Sequence, residues 1–245
     1  MKIFLKIFIL ALLATLLGCA GAKAKRGTAD AAYKEAMDLF DRKKYEEAVG
    51  AFQELNAKYP LSKYAVPTKL KIADSYFYDE NYPEALSAYR EFEKLHPTNE
   101  NIPYAIFQIG MSYFNQVITI DRDQTATMNA AIEFSRLISR FPDSKHAEKA
   151  RENLATARNN LAESEFYIGD FYYRKGNFKA ATDRFEALIR VYPEFKAMDK
   201  VLFFTGKAYM EAGERDKGKA VLKKLIEGYP DSKFAGEARE IVIAD

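Results

Sequence analysis

The stretch AVGAFQELNAKYP, Ala48 to Pro60, decides the fold, because the chain repeats its pattern four more times. A small residue opens it (Ala48). A large apolar residue follows four positions on (Phe52), another three after that (Leu55), and an aromatic–proline pair closes it (Tyr59-Pro60). The same order runs through Ala85, Tyr89, Phe92 and His96-Pro97, and through Ala130, Phe134, Leu137 and Phe141-Pro142. It returns as Ala181, Phe185, Leu188 and Tyr192-Pro193, and as Gly218, Leu222, Leu225 and Tyr229-Pro230. Spacings of three and four place these side chains on one face of a helix. Proline cannot continue a helix interior, so each copy ends there. Upstream of four of the prolines lies a second column of small residues, Ala36, Ala73, Gly169 and Gly206. Each is followed three positions later by Leu39, Tyr76, Tyr172 or Tyr209. Between the two columns come turn strings such as Glu80-Asn81-Tyr82 and Lys175-Gly176-Asn177-Phe178.

A small residue on each of two helices, so that they cross closely, and a proline release to the next pair is the tetratricopeptide pattern. The expected fold is therefore all-α: a tetratricopeptide-repeat solenoid of five helix–turn–helix units with one long connecting helix. Ser62, Ser144 and Ser232, each two residues past a proline, are N-cap candidates for the following helix. Two intervals exceed the regular spacing. Between Pro97 and Pro142 the third unit's first helix (102–117, with Gly110 and Tyr113) is followed by a polar, helix-poor insert, 118–129. Between Pro142 and Pro193, residues 144–163 contain neither Gly nor Pro and keep helical periodicity. They are expected to run into the fourth unit's first helix and stop at Gly176, a helix of roughly 45 Å at 1.5 Å per residue.

The N-terminus carries a different signal. Lys2 and Lys6 precede an apolar run, 7–17, that is too short to span a bilayer, which takes roughly 20 residues. It closes on Leu16-Leu17-Gly18-Cys19, and Cys19 is the single cysteine of the 245 residues. A basic start, a short apolar core and a small residue at the cut form a secretory signal. A cysteine just behind the small residue resembles the bacterial lipobox, which makes Cys19 the expected lipidation site. The alternative is a plain signal with an unrelated cysteine. Two or three acyl chains hold stably where one binds marginally. Ala20, rather than an aspartate, follows the cysteine, which by the same resemblance favours the outer membrane, with the protein on its periplasmic face. The expected division is 1–18 signal peptide, 19–30 lipidated flexible tether, 31–142 repeats one to three, and 143–245 long helix with repeats four and five.

Composition narrows the chemistry. The whole chain has 37 Lys+Arg against 35 Asp+Glu, and removing 1–18 takes away Lys2 and Lys6, leaving a neutral body. No net field favours nucleic acid. With one cysteine there is no internal disulfide and no thiolate metal site, so packing, rich in 16 Tyr and 18 Phe, supplies the stability. No phosphate loop, zinc spacing or nucleophile elbow occurs. No cofactor, metal or catalytic residue is expected. His96 replaces a repeat aromatic and is expected to pack. His146 is expected at the surface, at a helix start. What a solenoid offers is its concave face. In this register that face takes Tyr33, Met37 and Phe40; Leu70, Asp74 and Phe77; Phe107, Met111 and Phe114; Phe166, Asp170 and Tyr173; and Phe203, Lys207 and Met210. Tyr33, Phe40, Phe77, Phe107 and Phe114 are the candidate substrate groove, an aromatic stripe suited to extended apolar segments. The alternative is that these rings only pack against neighbouring helices.

Several local strings carry a more specific likeness: Tyr59-Pro60-Leu61-Ser62-Lys63-Tyr64, Ile120-Asp121-Arg122-Asp123, Phe141-Pro142-Asp143-Ser144, and Leu161 to Phe166 leading to Phe171 to Gly176. With the lipobox and the broken spacing, they resemble the BamD (ComL/YfiO) family of outer-membrane protein assembly lipoproteins. That resemblance implies a non-enzymatic scaffold of the β-barrel assembly machinery. It implies contact with BamA POTRA domains through the C-terminal repeats and company with other assembly-machine lipoproteins. It also implies engagement of unfolded outer-membrane barrel proteins through the N-terminal repeats. Arg184 and Arg190 match arginines of the family's fourth repeat and are the candidate partner interface, with ordinary surface charge as the alternative. The rival reading is a periplasmic tetratricopeptide adaptor of another envelope system, a Tol–Pal-like coordinator.

Overall fold

The computed structural model describes residues 27–117 and 119–244, and within them every regular element is a helix. Eleven follow in order among the described residues: α1 (Ala29–Asp41), α2 (Tyr45–Lys58), α3 (Ala65–Tyr78), α4 (Tyr82–Leu95), α5 (Ile102–Phe114), α6 (Thr125–Arg140), α7 (Ala147–Arg174), α8 (Phe178–Val191), α9 (Met198–Glu211), α10 (Arg215–Gly228) and α11 (Lys233–Ala244). The chain divides into two compact units, Met1–Ser75 and Tyr76–Asp245, the division falling within α3. In the first unit α1 packs on α2. In the second, each helix from α4 to α10 packs on the next, and α11 closes on α9 and α10.

The repeat columns become the core. Ala48, Ala85, Ala130 and Ala181 are wholly buried, as are Phe52, Tyr89, Phe134, Phe185 and Leu222. The small residues allow the crossing. A Cβ built on Gly110 would lie 2.6 Å from Cε1 of Phe134, and one on Gly169 would strike the Phe185 ring. Each aromatic before proline caps its helix, as where the Tyr192 N–H donates to the Leu188 carbonyl at 2.8 Å. Between paired helices the chain turns through one left-handed residue: Lys43, Glu80, Gly176 or Gly213, with φ between 59° and 81°. The next N–H then bonds five residues back, Asn177 to the Tyr172 carbonyl at 3.0 Å, which closes the helix end.

Three features differ from the sequence expectation. Of the serines after proline only Ser232 is an N-cap, directly preceding α11 and accepting from the Phe234 N–H at 3.1 Å; Ser62 lies three residues before α3, and His146, not Ser144, precedes α7. At those two the serine carbonyl instead accepts a one-turn bond, as from Ala147 N to Ser144 O at 2.8 Å. The insert is shorter than 118–129, because α6 already begins at Thr125. Asp123 starts it by accepting from the Thr125 N–H (2.9 Å) and hydroxyl (2.7 Å), and such a side-chain turn favours helix entry. Residues 233–244, which follow the fifth unit, form α11 and bury Ala235 and Ala238, as a terminal cap on a repeat array does. The long connecting helix is present as α7, 28 residues ending at Arg174, directly before the Lys175-Gly176 turn. At the other end, Thr28 caps α1 by accepting from the Ala31 N–H at 3.2 Å, so helix begins at Ala29.

Candidate functional site

A half-exposed aromatic stripe of the second unit lies on α5. Its buried face carries Ile102, Ala105, Ile106, Ile109 and Gly110. Tyr104, Phe107, Met111 and Phe114, spaced three, four and three apart, form a half-buried second face. Phe107 and Phe114 both lean on the buried ring of Phe134 at 6.0 Å between centroids. Asn153 of α7 donates to the Met111 sulfur at 3.1 Å. Phe77, near the end of α3, stands edge-on to Tyr78 (5.5 Å) and Tyr82 (5.7 Å). In the first unit Tyr33 stacks on Tyr64 at 4.2 Å, and Phe40 meets Tyr45 at 5.5 Å under the Lys71 ammonium. All five candidate groove rings are thus half-buried, with part of each ring packed and part toward solvent.

Four other positions of the expected concave face, Leu70, Asp74, Phe166 and Phe203, are closed. Leu70 and Asp74 are buried, and the Asp74 carboxylate accepts from Lys71 at 2.9 Å. Phe166 lies under Phe185 (5.4 Å) and Phe204, and Phe203 stacks on Phe234 of α11 at 5.1 Å. The cap helix and the extra aromatic at Phe204 fill what the register alone leaves open.

His146 corrects its sequence reading. It is half-buried, stacked on Phe107 at 5.4 Å and 23°, with Tyr104 at 5.5 Å. Its Nε2 is buried without a hydrogen-bond partner. Burial, and then the neighbouring Lys145 charge, push its pKa below the usual histidine value. Beside it, where the start of α5 meets the corner between α6 and α7, is a concavity of about 720 Å³ lined by Pro103, Tyr104, Phe141, Pro142, Lys145 and His146. Only the helix-start signal marked His146 in the sequence; its partner ring is 39 positions away along the chain, beyond any local pattern.

Around this face an ionic cluster joins α4 to α6. Arg136 bridges Glu93 (2.5 Å) and Glu133 (2.6 Å), and Arg140 adds a bond to Glu93 at 2.8 Å. Burial alone would raise the Glu93 pKa, but hydrogen bonds from Arg136 and Arg140 outweigh it and hold the carboxyl below its usual value. At the other end of the unit, Arg184 pairs with Glu165 at 3.2 Å. Arg190 lines a concavity of about 330 Å³ with Ile189, Leu202, Val221 and Lys224. Among the described residues no group of His, Cys, Asp and Glu is placed to hold a metal. None of their helices is long and apolar enough to cross a membrane. Cys19 and the segment 1–18 lie outside the described residues.

The family model YfiO, described as an outer membrane lipoprotein, matches residues 25–223. The chain belongs to the YfiO family. Among curated relatives, the outer membrane protein assembly factor BamD of Rickettsia prowazekii strain Madrid E is 30% identical over 228 residues, covering 91% of each chain. The protein of the same name from Caulobacter vibrioides is 28% identical over 236 residues, 94% of this chain and 77% of that one. The BamD of Neisseria meningitidis serogroup A is 28% identical over 216 residues, 84% and 81%. Among solved structures, the TPR2AB-domain complex of yeast Sti1 aligns at TM-score 0.44 and 16% identity, covering 88% of this chain and 83% of that one.

Proposed function

We propose that this YfiO-family chain is a non-enzymatic, lipid-anchored scaffold of the outer-membrane β-barrel assembly machinery. It binds BamA and unfolded barrel proteins at the periplasmic face of the outer membrane. The observation that carries the reading is its likeness to assembly factors named BamD over nearly the whole length of both chains. The site chemistry agrees: its aromatic rings are half-open, which suits extended apolar segments. Phe77, Phe107 and Phe114 offer such rings in the second unit, and Tyr33 and Phe40 offer the same kind in the first. Arg190, in the wall of a concavity of mixed apolar and charged lining, is the group we assign to the BamA contact, with Arg184 nearby in sequence and already paired to Glu165. Cys19 carries the lipid.

Capture of the native protein from detergent-solubilised membranes tests the partner assignment. BamA and its accessory lipoproteins are the expected companions, and recovery of Tol components without BamA would refute it. Phe77→Ala with Phe107→Ala, in a protein that keeps its helical circular dichroism, is expected to weaken binding of unfolded barrel segments by about tenfold or more. Two large apolar contacts of roughly 1 kcal/mol each support that size. Equal affinity in a fluorescence titration removes those rings from the site. Cys19→Ala is expected to release the protein from membranes in high salt, since two or more acyl chains supply nearly all the anchoring. A variant that stays with the membrane pellet speaks against the lipid anchor.

A further inference from the structure

The face of Phe107 is occupied at a cost. The His146 ring lies nearly parallel to it, held between Phe107 and Tyr104, while its Nε2 is shut away from water with nothing to bond. A buried polar atom without a partner opposes the stacking that holds the ring in place. Behind the ring, the prolines and aromatics Pro103, Tyr104, Phe141 and Pro142 wall a concavity of about 720 Å³, room for an aromatic side chain and the backbone beside it. Its rim carries both signs, Lys145 and Arg140 against Glu100 and Asp143. That balance favours an uncharged occupant.

We propose that His146 is a displaceable plug, its imidazole standing where an uncharged aromatic side chain of an extended polypeptide docks on Phe107. The inference rests on the reading of the α5 stripe as a binding surface. The incoming ring takes over the stack, and His146 swings to solvent, where Nε2 finds water. Protonation works in the same direction. The charged groups facing the ring are Lys145 and Asp143 from its own turn, Arg140 from the end of α6, and Glu100 from the approach to α5; Tyr104 of α5 is the titratable neighbour. The ring's surroundings disfavour the imidazolium, with burial first and Lys145 second. Acid therefore drives the plug outward and opens the site, so affinity rises as pH falls.

If the open form is about a tenth of the population at neutral pH, the plug weakens apparent affinity about tenfold. The test uses the full chain and an uncharged extended peptide bearing one Phe, with its Ala counterpart as control, followed by fluorescence anisotropy at pH 7.5 and 5.5. His146→Ala is expected to bind the Phe peptide several-fold tighter than wild type at pH 7.5 and to lose the pH dependence. His146→Phe, a plug that neither titrates nor has a polar atom to relieve, is expected to bind more weakly at both pH values. Unchanged or weaker binding by His146→Ala, or a pH dependence that persists in His146→Phe, overturns the plug while leaving the stripe a binding surface. Failure of every form to bind the Phe peptide overturns both.

Discussion

Phe134→Ala is expected to cost about 3–5 kcal/mol of stability, the range for emptying a fully buried phenylalanine site. The ring is wholly buried. It supports Phe107 and Phe114 from below and fills the space over Gly110, so three residues of α5 lose contact at once. The reverse change tests the same packing. Gly110→Ala places a methyl 2.6 Å from Cε1 and 2.8 Å from Cδ1 of Phe134, and overpacking of this kind costs about 1–3 kcal/mol. Because both residues claim one volume, their effects must couple. Gly110→Ala in a Phe134→Leu background is expected to cost clearly less than the two separate losses added. Ile132, two residues away but 54% exposed, is the control, and its alanine variant stays within about 0.5 kcal/mol. Urea unfolding measures all five variants, Phe134→Leu alone included. Strict additivity of the pair, or a cost for Phe134→Ala below about 1 kcal/mol, contradicts this account of the repeat core.

The same crossing explains why the fold is legible in the sequence. A close helix approach leaves few choices at Ala130 or Gly169, and an aromatic followed by proline leaves few at the exit, so five copies stand in register. The long helix α7 is equally visible, since a stretch without Gly or Pro that keeps its period has nowhere to stop before Gly176. What the register does not carry is occupancy. Position five of a first helix reads alike at Phe107 and Phe203, yet Phe107 keeps an open edge while Phe203 is covered by Phe234 of α11. His146 shows the same limit. Its distance along the chain from Phe107 hides a stack that depends on where the α6–α7 corner returns. The ionic cluster is invisible for that reason too: Glu93, Glu133 and Arg136 look like ordinary surface charges until α4 and α6 are set on either side of α5.

That cluster carries the second large effect. Arg136→Met keeps the aliphatic stem and removes the charge that bridges two partly buried carboxylates. Charge-assisted hydrogen bonds of this kind contribute about 1.5–3 kcal/mol, and stranding a carboxylate adds to the loss, so about 2–3 kcal/mol is expected at pH 7. Arg136→Lys recovers little of it, because one ammonium cannot span Glu93 and Glu133 as a guanidinium fork does. The pH dependence follows from Glu93. Its pKa in the folded protein lies below that of the unfolded chain. The stability it contributes is therefore complete above the ordinary carboxylate range and disappears as pH falls through the lowered folded value. In Arg136→Met the burial of Glu93 is opposed by Arg140 alone, so its pKa rises and the acid loss shrinks. The gap between wild type and variant is expected to narrow between pH 7 and pH 4 in urea titrations. An equal gap at both pH values assigns the loss to packing, not charge. A rescue by lysine equal to arginine contradicts the two-carboxylate bridge. A positive result extends beyond stability: α5 lies between the helices this cluster ties, so the variant is also expected to show faster amide exchange across 102–114, where the aromatic stripe is held.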